Sequence, residues 1–101
     1  MGYRLALTAL IVLAAGGLQA VSAEDINIAG STTVQPLAEL FGEAFEANHD
    51  GVRIIVQGGG SSVGVRSAAN GTADIGNASR EVKDSEMADH PELVVHTVAR
   101  D

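Results

Sequence analysis

The sequence predicts an α/β fold, one lobe built on a parallel sheet in the order β-α-β-α-β. Three observations predict it. Short strand-like apolar runs alternate with segments of helical periodicity, the pattern of a parallel sheet with crossover helices. One of those runs, Val52-Arg53-Ile54-Ile55-Val56, is β-branched and mostly apolar, as in a strand covered on both faces. Each of the first three strands is followed at once by a loop of glycine and small polar residues.

Before the first strand, Met1 to Ala23 has the layout of a secretory signal. Arg4 gives a positive start, Leu5 to Ala15 is an apolar run of about 11 residues, and Val21-Ser22-Ala23 supplies small residues for cleavage. The run is shorter than the ~20 residues a bilayer span needs, so no stable membrane insertion is expected after cleavage. Residues 24–101 then form the folded part, about 78 residues, a modest basis for a core. The chain has no cysteine, so no disulfide, thiolate metal site or lipidated mature N-terminus is expected.

Asp25-Ile26-Asn27-Ile28-Ala29 alternates polar and apolar residues as a strand does, and Gly30 ends it. Ser31-Thr32-Thr33 offers N-cap oxygens to a helix whose apolar face is Val34, Leu37, Ala38, Phe41, Ala44 and Phe45. Pro36 fits within its first turn, and the helix is expected to stop between Asn48 and Gly51. Val52 to Val56 is the second strand. Val63 to Asn70 makes a short helix closed by Gly71, and Asp74-Ile75-Gly76 a brief third strand. A weaker helix is expected from Lys83 to His90, then a fourth strand over Leu93 to Val98.

Charge limits the partners. All 13 acidic residues lie beyond residue 23 against five Lys and Arg there, which leaves that part at −8. Such a surface repels polyanions and argues against nucleic acid, and with one Tyr, two Phe and no Trp there is little to stack bases or sugars on. A small anion is compatible with this charge, because backbone dipoles and one arginine make a local site whatever the net charge.

In an open parallel sheet the loops at the carboxyl ends of the strands gather on one edge, where ligands bind. Here they are Gly30-Ser31-Thr32-Thr33, Gly58-Gly59-Gly60-Ser61-Ser62 and Gly76-Asn77-Ala78-Ser79-Arg80. The first two open helices and can aim unpaired N–H groups at one point. Ser and Thr hydroxyls add donors, and the planar Arg80 guanidinium can grip an oxyanion through two parallel hydrogen bonds. Together they suit a tetrahedral anion without metal or cofactor. Each loop alone has a plainer reading: serines before helices are commonly N-caps. Arg66 reads as a solvated flank residue; Asp74 reads either as a proton acceptor for the ligand or as a turn or cap residue.

Nucleotide motifs fail on residues their chemistry needs. No lysine lies between Asp25 and Glu81 to complete a Walker loop, and the third glycine of a dinucleotide fingerprint would fall on Val63. Gly60-Ser61-Ser62-Val63-Gly64 fits the G-x-S-x-G elbow of a serine hydrolase, with Ser62 as nucleophile and His90 or His96 as base. That enzyme needs a larger sheet and leaves the other two loops without a role. His49, His90 and His96 are scattered rather than spaced for metal, and Asn70-Gly71-Thr72 and Asn77-Ala78-Ser79 fit glycosylation sequons.

The stretches "IAGSTTVQPLAELFGEAFE", "VQGGGSSVGV" and "ADIGNASREVKDSE", in this order and spacing, resemble the phosphate-binding substrate proteins of ABC phosphate importers. The resemblance implies the type II periplasmic-binding-protein fold and an exported, non-enzymatic receptor, periplasmic or extracellular, that hands inorganic phosphate to permease subunits. It matches Ser31, Thr32 and Thr33 to the family's first phosphate loop, Ser61 and Ser62 to its second, and Ser79 and Arg80 to its third. Arg80 stands where some members carry aspartate and others arginine. Family members are several times longer, so the expectation is an amino-terminal part with the second lobe absent. Sulfate, molybdate or tungstate is the alternative ligand.

Overall fold

The computed structural model describes residues 24–100; the signal segment expected over 1–23 lies outside the described residues. Three strands, β1 (Glu24–Gly30), β2 (Val52–Gln57) and β3 (Ile75–Asn77), form one sheet in the order β2-β1-β3, with both pairings parallel. Helix α1 (Gln35–Asn48) joins β1 to β2, α2 (Ser61–Asn70) joins β2 to β3, and a short α3 (Asp84–Asp89) follows. The expected β-α-β-α-β lobe is therefore present, with β1 at its centre.

Side-chain alternation along the strands assigns the two faces. Ile28 pairs with Ile75, and both line a trough under α1; Ala29 pairs with Gly76, and both lie against α2. The helices therefore cover opposite faces, as crossovers of one hand require when the chain steps first to one side of β1 and then to the other.

Helix α1 ends by local means. Pro36 sits in its first turn, where the missing N–H costs nothing, and at its end the His49 ring stacks on Phe45 at 3.8 Å. Gly51, at φ +80°, turns the chain into β2. At the outer edge of β2 the Glu46 carboxylate accepts the Ile54 N–H at 2.7 Å, so a helix side chain occupies a donor that an edge strand would leave open.

The two helices dock differently. On α1, Ala38 and Gly42 approach the sheet, Gly42 against Ile54, while Leu37, Phe41 and Phe45 border an open apolar trough of about 310 Å³ floored by Ile26, Ile28 and Ile54. Helix α2 docks backbone to backbone: a Cβ on Gly64 would stand 2.9 Å from Gly30 Cα and 3.0 Å from Ala29 O, with the Asn77 carbonyl closer still.

The structure departs from expectation at the start of α2, at β3, which runs Ile75–Asn77 rather than Asp74 to Gly76, and at the fourth strand. Helix α2 starts at Ser61, two residues earlier than its apolar periodicity indicates, because Gly60 at φ +102° lets the chain turn at once into the helix. The fourth strand does not form: Leu93 to Val98 joins no ladder, and Val94 and Val98 are 75% and 72% exposed. A β-branched run records a suitability for burial, whereas a strand also needs a partner edge, and β3 is three residues long.

Candidate functional site

The three small-residue loops meet at the carboxyl edge of the sheet, tied together by their own backbone. Gly60 N–H donates to Gly30 O at 2.9 Å, and Ser31 N–H donates to Asn77 O at 3.1 Å. Gly58 runs so close to loop one that a Cβ there would stand 2.8 Å from Gln35 Oε1 and 3.1 Å from Thr32 Cγ2. Gly59 and Gly60, at φ +130° and +102°, hold conformations that side chains rarely adopt.

The hydroxyls divide their work. Ser31 is 3% exposed, and its Oγ accepts the N–H groups of Thr33 and Val34, both at 3.2 Å. Its oxygen is thus spent on capping α1, which is the plainer reading of that serine; its own O–H is still available to donate. Thr32 and Thr33 lie exposed beside it. Ser61 Oγ accepts the Ser79 N–H at 2.9 Å and lies 3.2 Å from Ser79 Oγ, which joins loops two and three. Ser62 Oγ accepts from Arg80 Nη2 at 3.3 Å. The structure thus brings Ser31, Thr32, Thr33, Ser61, Ser62, Ser79 and Arg80 to one edge of one sheet.

The helix starts are not equivalent. Ser31 takes the N–H groups of Thr33 and Val34, in the turn that leads into α1, whereas no side chain takes an N–H in the turn that opens α2. Among the described residues the amide groups of Ser61, Ser62 and Val63 have no acceptor. The start of α2 is thus a positive end at this cluster, where unpaired N–H groups and the helix dipole both favour an anion.

Arg80 is held firmly. Its Nη1 donates to Glu86 Oε1 at 2.9 Å and to the Glu81 carbonyl at 2.9 Å, and Nη2 donates to Glu86 Oε2 at 3.1 Å. Glu86 Oε1 also accepts the Lys83 N–H at 2.8 Å, closing the first turn of α3. The Arg80 guanidinium first, and the Lys83 N–H second, hold the Glu86 carboxyl far below its ordinary range, at about 2. Sequence periodicity carried no sign of Glu86; its place three residues into a helix that follows the arginine loop was the available signal.

For Asp74 and Ser62 the structure decides between the readings the sequence offered. Asp74 precedes β3, at the opposite end from the loops, and its carboxylate accepts the Asn27 N–H at 2.8 Å, so it is a strand-end cap and not a proton acceptor for a ligand. Ser62 lies within the first turn of α2 and contacts arginine; among the described residues no non-glycine has positive φ, so the strained turn of a nucleophile elbow is missing. Of the candidate bases His90 faces Glu92 at 3.4 Å, and among the described residues neither His90 nor His96 is hydrogen-bonded to Ser62; His49 bonds Phe45 O. The Asn77 amide nitrogen is buried, so in the folded chain that sequon is closed.

A family model for the PBP superfamily domain matches residues 17–101. The phosphate-binding protein PstS 2 of Streptococcus agalactiae serotype V is 42% identical over 68 residues, 67% of this chain and 23% of that protein. A crystal structure of the phosphate-binding protein of a phosphate ABC transporter from Streptococcus pneumoniae TIGR4 superposes with a TM-score of 0.63 at 35% identity, over 65% of this chain and 26% of that one. A putative phosphate ABC transporter substrate-binding protein from Clostridium perfringens, solved with bound phosphate, gives 0.60 at 36% identity, over 64% and 27%. The chain spans about a quarter of the length of the relatives it matches.

Proposed function

This chain belongs to the PBP superfamily, and from that premise we propose that it is the anion-gripping part of an exported receptor that captures inorganic phosphate for an ABC-type importer. One observation carries the reading. The uncapped start of α2 and the side chains of Ser62 and Arg80 converge on one point of the sheet edge, with Thr32 on the loop that runs against Gly58.

The grip follows from electrostatics. The free N–H groups of Ser61, Ser62 and Val63 donate to the anion, the dipole of α2 points its positive end at it, and Arg80 adds a delocalised charge with parallel donors. Serine and threonine hydroxyls turn to donate to oxygens that carry charge or accept from one that carries a proton. None of these groups is a nucleophile with a base, so the reading is capture and release, with no bond made or broken. The wider receptor delivers the anion to permease subunits outside the cell membrane, in the periplasm or extracellular space. Among the described residues no helix is long and apolar enough to cross a membrane.

The test is calorimetric titration of the full chain with phosphate, sulfate, molybdate and tungstate in turn, alongside melting temperature against phosphate concentration. A ligand bound by the folded state alone raises stability as RT ln(1 + [L]/Kd), so phosphate at about 100 times Kd is expected to add about 2.7 kcal/mol. A melting temperature that ignores phosphate but rises with another oxyanion would transfer the assignment to that anion.

A further inference from the structure

We propose that Glu86 is the positioning residue of the anion site, fixing the Arg80 guanidinium so that its Nε and Nη2 edge faces Ser62 and receives two oxygens of the bound oxyanion. The inference rests on the phosphate reading above and adds a residue to it.

A guanidinium has five N–H donors in a rigid fork, so counting acceptors shows which edge is free. Nη1 gives one hydrogen to Glu86 Oε1 and the other to the Glu81 carbonyl, both at 2.9 Å. Nη2 gives one to Glu86 Oε2 at 3.1 Å and turns the other toward Ser62 Oγ at 3.3 Å, the longest of the four bonds. Among the described residues the Nε–H has no acceptor. The end of the fork is therefore saturated by carboxylate and carbonyl, and the side formed by Nε and Nη2 is turned to the loop that opens α2. That side is a two-donor edge matched to an oxyanion.

Glu86 can orient Arg80 because it is itself fixed. Its Oε1 also accepts the Lys83 N–H at 2.8 Å, which pins the carboxylate to the start of α3. The ion pair is partly buried, with 29% and 24% of the two side chains exposed. Without Glu86 the arginine would keep only one backbone carbonyl and its longest bond, and its flexible stem would have to be ordered by the ligand itself.

The opposing effect is repulsion. Glu86 neutralises Arg80 and carries negative charge near the anion, so its removal has an electrostatic gain to set against the lost alignment. Alignment is expected to dominate, because a salt bridge satisfied on both carboxylate oxygens leaves the free edge, rather than the saturated one, to meet the ligand.

The experiment is phosphate titration of the full chain as wild type, Glu86→Gln, Glu86→Ala, Arg80→Ala and the Arg80→Ala/Glu86→Ala double variant, each first checked for a native circular-dichroism spectrum. Glu86→Ala is expected to weaken phosphate binding about 10-fold, the lower end of what losing an orienting partner costs at metal sites. Glu86→Gln, which keeps one oxygen acceptor and the side-chain volume, should lose less and covers the case in which the alanine variant does not fold. In the Arg80→Ala background the further loss from Glu86→Ala should vanish, a non-additivity that a purely structural role in α3 would not produce. Unchanged or tighter binding in both Glu86 variants, or full additivity with Arg80→Ala, overturns the positioning role while the phosphate reading stands. A wild type that binds no oxyanion overturns both.

Discussion

Gly64 shows how one missing methyl group sets the depth of a site. Alanine is preferred over glycine inside a helix by about 1 kcal/mol, so propensity alone would have Gly64→Ala stabilise α2. The contacts oppose it: the added Cβ would meet Gly30 Cα at 2.9 Å and Ala29 O at 3.0 Å, backbone atoms held in the β1 ladder. Overpacking of this kind costs about 1–3 kcal/mol, so the steric term is expected to win and urea midpoints should fall for Gly64→Ala. Ser31 is a second case, because its oxygen caps α1 from a buried position. Ser31→Ala is expected to cost about 1 kcal/mol of stability by denaturant titration, and Ser31→Gly only a few tenths. Both residues were legible as members of loops or helix starts. What no sequence pattern disclosed was the division of labour: Ser31 serves the helix, while Ser62 and Arg80 face each other across two loops 18 residues apart.

At the scale of elements, α3 is the piece whose order depends on charge. It has six residues, too few to stand on propensity, and its first turn is held by Glu86 reaching back to Lys83 while gripping Arg80. A carboxyl whose folded pKa is depressed contributes stability that is complete above its unfolded value and is lost as pH falls through the folded one. For Glu86 that window runs from its ordinary 4.5 down to about 2. Asp25, lowered by its hydrogen bonds to Arg53, acts in the same direction. Stability measured against pH should therefore fall along an acid limb below about 4.5, and Glu86→Gln should flatten that limb relative to wild type while lowering stability at neutral pH. An identical acid limb in the variant would show that Glu86 does not supply it. The helices and first three strands could be read from periodicity because each carries its own pattern. The expected strand over Leu93 to Val98 could not, since pairing belongs to two segments at once and the run speaks for only one of them.

For the molecule as a whole, the distribution of apolar surface decides how the described residues behave. Among them only Ala38, Val65 and Ala73 form the buried hydrophobic set, and no large side chain is fully buried. Phe41 is 59% exposed beside a trough whose floor is Ile26, Ile28 and Ile54. Burial of apolar area is the main favourable term in folding, at roughly 25 cal/mol per Å², and here much of that area is still in contact with solvent. The sheet is tied by its ladders and by backbone contact at Gly30, Gly64 and Gly76, which define geometry without contributing much apolar burial. Residues 24–100 produced alone are therefore expected to bind a hydrophobic dye such as ANS and to melt with low cooperativity. The trough accounts for the dye specifically: Phe41→Ser should reduce dye fluorescence without further broadening the melt, because that ring is bordered by solvent rather than packed. A sharp, cooperative melt with no dye bound would show instead that these side chains find cover in solution. In either case the trough lies on the face of the sheet under α1, while α2 and its uncapped start belong to the other, so the Phe41 variant should leave the anion loops intact.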